Sequence, residues 1–169
     1  MATARERLSE WLRDAHAAEQ QAHTMLTGVA RRLPNYPEFS TGLQQHGERS
    51  GRQAEQLRTC LSQLSESPSV VKNLVGQLTA IGQTLSGLIV DDEVIKAALA
   101  ISTFAHMEVT SYRILVAAAQ TAGETMVAET CELLLAEEVE FADWLDQQLP
   151  SLTSEYFHRE ETPAVTAKH

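Results

Sequence analysis

Apolar residues recur at alternating intervals of four and three along most of the chain, which places them on one face of an α-helix. Four long segments carry this pattern, at about residues 3–33, 37–64, 93–123 and 124–149. Pro34, Pro37, Gly123 and Pro150 mark their ends, because proline and glycine interrupt or terminate helices. No segment alternates with a period of two, so the pattern predicts an all-α protein.

A fifth, shorter helix is predicted between the second and third long ones. Ser67 can cap its N-terminus, and Pro68 suits its first helical position. Two long helices before it and two after it are typical of a four-helix bundle, with the short helix on the crossover between the second and fourth predicted helices. We expect the bundle to span residues 1–150, with its last helix ending at Pro150, and residues 151–169 to form a polar C-terminal tail.

Each long helix has a polar interruption near the middle of its apolar face. The interrupting residues, in chain order, are Glu19, then His46, Ser50 and Gln53, then Glu108 and Tyr112, and finally Glu138. Because these positions lie at similar heights along the helices, packing of the bundle should bring them together. A buried carboxylate without a partner costs several kcal/mol or gives up its charge, so such a group needs cations, donors or shared protons.

Two interpretations of this polar group remain open. Inward-facing glutamates hold iron or manganese in several helical bundles, which predicts a metal site at Glu19, His46, Glu108 and Glu138. Alternatively, the carboxylates form a metal-free network that polar neighbours satisfy by hydrogen bonds. Iron or manganese and no cofactor at all are equally compatible with the sequence.

Composition and charge narrow the classes of partner. The chain has 169 residues and is 43% hydrophobic, which suits one globular domain. With 13 Lys and Arg against 23 Asp and Glu, its net charge of −10 argues against nucleic acid or an anionic membrane as a partner, but not against metal cations. The N-terminus lacks the apolar core of a signal peptide, and no run reaches the roughly 20 apolar residues of a membrane span. We therefore expect a cytoplasmic protein.

Two further features bear on assembly and redox state. The short predicted helix is rich in Leu, Val and Ile but lies outside the four-helix core. A second copy of the chain could cover this apolar surface, so we predict a homodimer. Cys60 and Cys131 belong to no CxxC motif or Cys/His cluster. We expect both to be reduced and buried, with a disulfide or a reactive thiol as the alternative.

Four segments resemble a known family. They read AAEQQ at 17–21, HGERSGRQAEQL at 46–57, HMEVTSY at 106–112 and LLAEEVEFADWL at 134–145. They are similar to the bacterial ferritin-like family of YciE and YciF stress-response proteins, over most of residues 8–149. The resemblance implies a ferritin-like bundle, dimerisation, a role under stress and no defined biochemical activity.

The chain departs from the metal-binding pattern of diiron ferritin-like proteins, which place Glu-x-x-His on two helices. The corresponding positions here hold Ser50 with Gln53 and Glu138 with Phe141, so both histidines are missing. An amide oxygen is a weak ligand and a phenyl ring cannot coordinate. This departure favours a partly degenerate metal site or, alternatively, a non-catalytic scaffold, and we assign no catalytic residue.

Three cationic or imidazole side chains could modify this picture. Arg49 could neutralise Glu19 or Glu138 without a metal. His16 and His23 share a helix face with Glu19 and could each supply a nitrogen ligand, although a surface position is the simpler interpretation for both.

Overall fold

The computed structural model of the protein describes residues 2–64, 92–162 and 165–167. It contains four α-helices there: α1 (Ala4–Ala30), α2 (Pro37–Leu64), α3 (Glu93–Ala122) and α4 (Thr125–Glu161). No β-strand occurs in these ranges, and the helices form a four-helix bundle, which confirms the predicted fold class. The short helix predicted after Ser67 lies outside the described residues.

Local sequence signals explain where two of the helix ends fall. Thr3 and Glu6 form a reciprocal capping box at the start of α1, in which each side chain bonds to the other residue's backbone. Gly123 ends α3 with a φ of 75°, a left-handed conformation that glycine adopts without steric cost. The first helix ends at Ala30 and not at Leu33, but Leu33 remains buried within the turns that follow.

The helices pair as α1 with α2 and α3 with α4, and the two pairs face each other through α1 with α3 and α2 with α4. A methyl group on Gly47 would lie 2.9 Å from Thr27 Cγ2, so this glycine allows α1 and α2 to approach closely. The pairing directs the interrupted faces of all four helices into one interior. None of the described helices is both long and apolar enough to cross a membrane.

The prediction that the last helix ends at Pro150 is wrong, because α4 continues to Glu161. Proline removes one backbone hydrogen bond and crowds the preceding turn. Leu152 and Tyr156, beyond it, are buried against the core, and burying such side chains contributes about 1.5–3 kcal/mol each. Arg159 Nη2 also donates a hydrogen bond to the Asn35 carbonyl oxygen at 2.9 Å. These contacts offset the local cost, so the first part of the predicted tail is helical.

Two apolar clusters fill the interior on either side of the polar interruptions. The large cluster includes Phe39, Phe104 and Tyr156, and lies toward the loop that joins α1 to α2. The small cluster includes Leu12, Cys60, Tyr112, Leu115 and Cys131, and lies toward the start of α1 and of α4. The polar residues of all four helices therefore occupy a layer between two apolar regions.

Candidate carboxylate site

Glu19, Glu108 and Glu138, from α1, α3 and α4, form what we call the carboxylate cluster. Their exposed fractions are only 1%, 3% and 0%. His46 of α2, at 4%, is buried beside them and contacts Glu138. The four residues proposed from the sequence as one site thus lie in one layer of the bundle.

Both oxygens of Glu138 have partners from α2. Gln53 Nε2 donates a hydrogen bond to Oε1 at 2.8 Å, and His46 Nε2 lies 3.3 Å from Oε2. The Gln53 amide also donates to Oε2 of Glu137 at 2.9 Å, and Glu137 is only partly buried. Gln53 therefore acts as a donor that orients the carboxylate, in the position where the ferritin-like pattern has a histidine ligand. Glu137 was not predicted as part of the site, although it directly precedes Glu138 in the sequence.

Glu19 and Glu108 are less well satisfied. The Tyr112 hydroxyl donates to Glu19 Oε1 at 2.6 Å, and no donor from the described residues reaches Oε2. The pKa of Glu19 is raised to about 8, chiefly by burial and then by the Glu138 carboxylate, while the Tyr112 hydrogen bond opposes the rise. Burial also holds the pKa of Glu108 well above its usual range, with added repulsion from Glu19 and Glu138. In the absence of a cation, these shifts favour the protonated forms of Glu19 and Glu108.

Four buried oxygen atoms in this layer have no hydrogen-bond partner within the described part of the chain. They are Glu19 Oε2, Ser50 Oγ, Gln53 Oε1 and Glu108 Oε1. Ser50 lies close enough to Glu19 to oppose part of its pKa rise, but its hydroxyl does not reach the geometry of a hydrogen bond. Buried polar atoms in proteins usually have a partner, so four exceptions in one layer indicate unused capacity for water, protons or a cation.

His46 is held by an aromatic ring as well as by Glu138. Its imidazole stacks on Phe141 with ring centroids 3.5 Å apart and planes within 9°. The stack continues through Trp144 to Phe39, each step with centroids 5.8 Å apart. Phe141, which replaces a histidine of the ferritin-like pattern, therefore positions the imidazole of His46.

Three side chains considered in the sequence analysis lie elsewhere. Arg49 Nη1 bonds to Glu140 Oε2 at 3.0 Å near the surface, so the suggestion that it neutralises Glu19 or Glu138 is wrong. The imidazole of His23 bonds through Nδ1 to the Gly47 carbonyl oxygen at 2.7 Å. His16 is partly buried on α1, and within the described ranges neither histidine is hydrogen-bonded to the carboxylate cluster.

The arrangement does not fit a dinuclear metal centre. Both helical histidines of that pattern are replaced, and among the described residues His46 supplies the one imidazole in contact with the cluster. As placed, no three His, Cys, Asp or Glu side chains in the described residues are grouped so as to hold a metal ion. The donors are carboxylates, one imidazole and an amide oxygen, which are ligand types that Mn²⁺ and Fe²⁺ accept in proteins.

The chain is similar to known proteins in both sequence and structure. Residues 3–158 match the family described as Domain of unknown function (DUF892). The crystal structure of a protein from Xanthomonas campestris pv. campestris is similar, with 35% sequence identity and a TM-score of 0.78. The match covers 95% of this chain and 100% of that one.

Proposed function

The chain belongs to the DUF892 family, which is of the ferritin-like type, and from this premise we propose that it is a cytoplasmic stress-response protein related to YciE and YciF. We further propose that it binds one divalent cation, iron or manganese, in the bundle interior. The proposed ligands are Glu19, His46, Glu108 and Glu138. The observation that carries this proposal is the set of four buried, unpartnered oxygen atoms around the carboxylate cluster.

Charge balance gives the physical reason. Three buried carboxylates cannot all ionise in a low-dielectric interior, so two of them keep protons when no cation is present. A divalent cation would replace those two protons and leave the total charge of the layer unchanged.

The chain's own residues would hold the ligands in place. Tyr112 orients Glu19, and Gln53 orients Glu138. A bound iron or manganese ion would supply redox chemistry. We assign no catalytic residue.

A second function, a non-catalytic interaction scaffold with a metal-free core, is favoured by a different observation. Glu138 already has a partner for each oxygen, and Tyr112 satisfies one oxygen of Glu19. Protons on Glu19 and Glu108 would then complete a neutral network of hydrogen bonds. In this case the carboxylate cluster fixes the packing of the four helices and binds no ion.

Metal analysis and calorimetric titration of untagged protein with Mn²⁺, and with Fe²⁺ under nitrogen, separate the two functions. The cation hypothesis predicts about one ion per chain, with affinity that rises between about pH 6 and pH 8 because protons must leave. Glu108→Gln should abolish binding, whereas Glu140→Gln, a surface control on α4, should not. Wild-type protein that binds neither ion at any of these pH values would leave the scaffold as the function.

We also propose that the protein is a homodimer. The predicted basis, an apolar short helix, lies outside the described residues, but Leu99 of α3 and Leu133 of α4 offer independent support because they expose 68% and 70% of their surface. Sedimentation velocity at tens of micromolar, where a modest interface is populated, should give a dimer. A monomer throughout that range would contradict the proposal.

A further inference from the structure

The register of α2 against α4 places the two cysteines opposite each other. The helices are antiparallel, and Gln53 of α2 bonds to Glu138 of α4. Cys60 follows Gln53 by seven residues, and Cys131 precedes Glu138 by seven. Seven residues are about two helical turns, so each cysteine stays on the face of its reference residue. Cys60 and Cys131 therefore face each other two turns beyond the carboxylate cluster.

Three observations agree with this placement. Both cysteines are free and buried, and both belong to the small cluster. Thr130, the neighbour of Cys131 on α4, lies within hydrogen-bonding reach of the Cys60 thiol. Burial raises the pKa of Cys131 to about 12, and the nearby Cys60 contributes to the rise. The cysteines are thus neighbours in space although 70 residues separate them in sequence.

We propose that Cys60 and Cys131 are a redox pair that hydrogen peroxide converts into a disulfide joining α2 to α4. Cys60 attacks first, because it lies one turn from the end of α2 and is slightly exposed, at 3% against 0% for Cys131. Its sulfur attacks one peroxide oxygen and the O–O bond breaks. A water molecule is released, and Cys60 becomes a sulfenic acid. The Cys131 sulfur then attacks the Cys60 sulfur, the S–O bond breaks, and a second water leaves.

The step is balanced and needs no other reactant. Two thiols and one peroxide give one disulfide and two waters, and two electrons pass from the sulfurs to the peroxide. The reaction is slow, because burial raises the pKa of both thiols and only the thiolate is nucleophilic. Both thiols are buried, so the oxidant reaches them only when the helices open locally. The product is a structural link formed under prolonged oxidation.

The test is peroxide treatment of the native, full-length protein, followed by alkylation, intact mass and peptide mapping. We expect a loss of about 2 Da and a peptide that links residues 60 and 131 within one chain. The link constrains a long loop in the unfolded state, so the melting temperature should rise by about 5–15 °C. Any of three results would overturn the proposal: two thiols that can still be alkylated after treatment, sulfinic acids without a disulfide, or a disulfide that forms only in denaturant.

Single-cysteine variants identify the order of the steps. Cys131→Ala should accumulate a sulfenic acid on Cys60, which dimedone traps, whereas Cys60→Ala should give neither adduct nor link. If alanine perturbs folding, serine at the same positions gives the same comparison. Glu140→Gln, a surface control on α4, should still form the disulfide at the wild-type rate. A dimedone adduct on Cys131 in place of Cys60 would contradict the order.

Discussion

The large apolar cluster and the carboxylate cluster are equally buried, yet their side chains are held by different forces. Phe104 of α3 is buried among apolar neighbours, and such burial is worth about 1.5–3 kcal/mol. Glu108, one turn further along the same helix, is also buried, but burial raises its pKa and leaves one of its oxygens without a partner. An apolar residue at Glu108 would serve stability better. Natural proteins accept such a loss chiefly at functional positions, which is why this layer is the candidate site.

The largest expected effect is a truncation in the large apolar cluster. Phe104→Ala should lower the free energy of unfolding by about 3–5 kcal/mol, because it removes a buried ring and leaves a cavity. The matched control is Phe157→Ala, whose ring is 54% exposed and which should change stability by less than about 0.5 kcal/mol. Urea denaturation measures both. Equal losses in the two variants would mean that the large cluster does not hold the bundle together.

The pH dependence of the metal-free protein tests the carboxylate cluster. Burial raises the pKa of Glu19 from its ordinary value of 4.5 to about 8, so between these pH values the folded state retains a proton that the unfolded state releases. The contribution of Glu19 to the free energy of unfolding is therefore fully present below about pH 4.5. It is lost as the pH rises through about 8.

Over this pH range the free energy of unfolding should fall by on the order of 4 kcal/mol because of Glu19. The raised pKa of Glu108 shifts it in the same direction. Chemical denaturation at several pH values measures it. Glu19→Gln, which keeps the acceptor for Tyr112, should flatten the profile. A wild-type protein that becomes more stable between about pH 5 and pH 8 would show that cations or other groups neutralise the cluster.

The apolar faces were predictable because helical periodicity alone determines them. The polar interruptions followed from the same periodicity, and Glu19, His46, Glu108 and Glu138 are all buried as expected. How each carboxylate is satisfied was not predictable, because hydrogen bonds such as that from Tyr112 to Glu19 join helices far apart in sequence.

Helix ends and ion pairs are further features that could not be predicted from the sequence. Pro150 was taken as a helix end because local propensity favours termination, but burial of Leu152 and Tyr156 outweighs that preference. Arg49 has several acidic residues within reach, and only the packed structure selects Glu140. Tertiary contacts decided both outcomes, and one sequence contains no direct signal of them.

An intermediate effect should come from replacing one member of the carboxylate cluster. In metal-free protein at about pH 8, Glu108→Gln should raise the free energy of unfolding by about 1–3 kcal/mol, because it removes an ionisable group from a low-dielectric site. The gain should vanish below about pH 4.5, where the glutamate is protonated in the folded and the unfolded state alike. Glu140→Gln is the surface control and should change little. Destabilisation at both pH values would mean that Glu108 makes an interaction the amide cannot replace.

The smallest effects test the boundary between the two regions, where the ring stack links His46 to Trp144 and Phe39. A methyl group on Gly42 would overlap the Trp144 indole, which stacks on Phe39 and Phe141, so Gly42→Ala should lower stability by about 1–3 kcal/mol. Gly28→Ala, with open space around the new methyl group, should raise stability by about 0.5–1 kcal/mol because alanine favours the helix. Thermal denaturation compares the two variants. If Gly42→Ala proved as harmless as Gly28→Ala, the indole would be free to move and the stack could not be what positions His46 against Glu138.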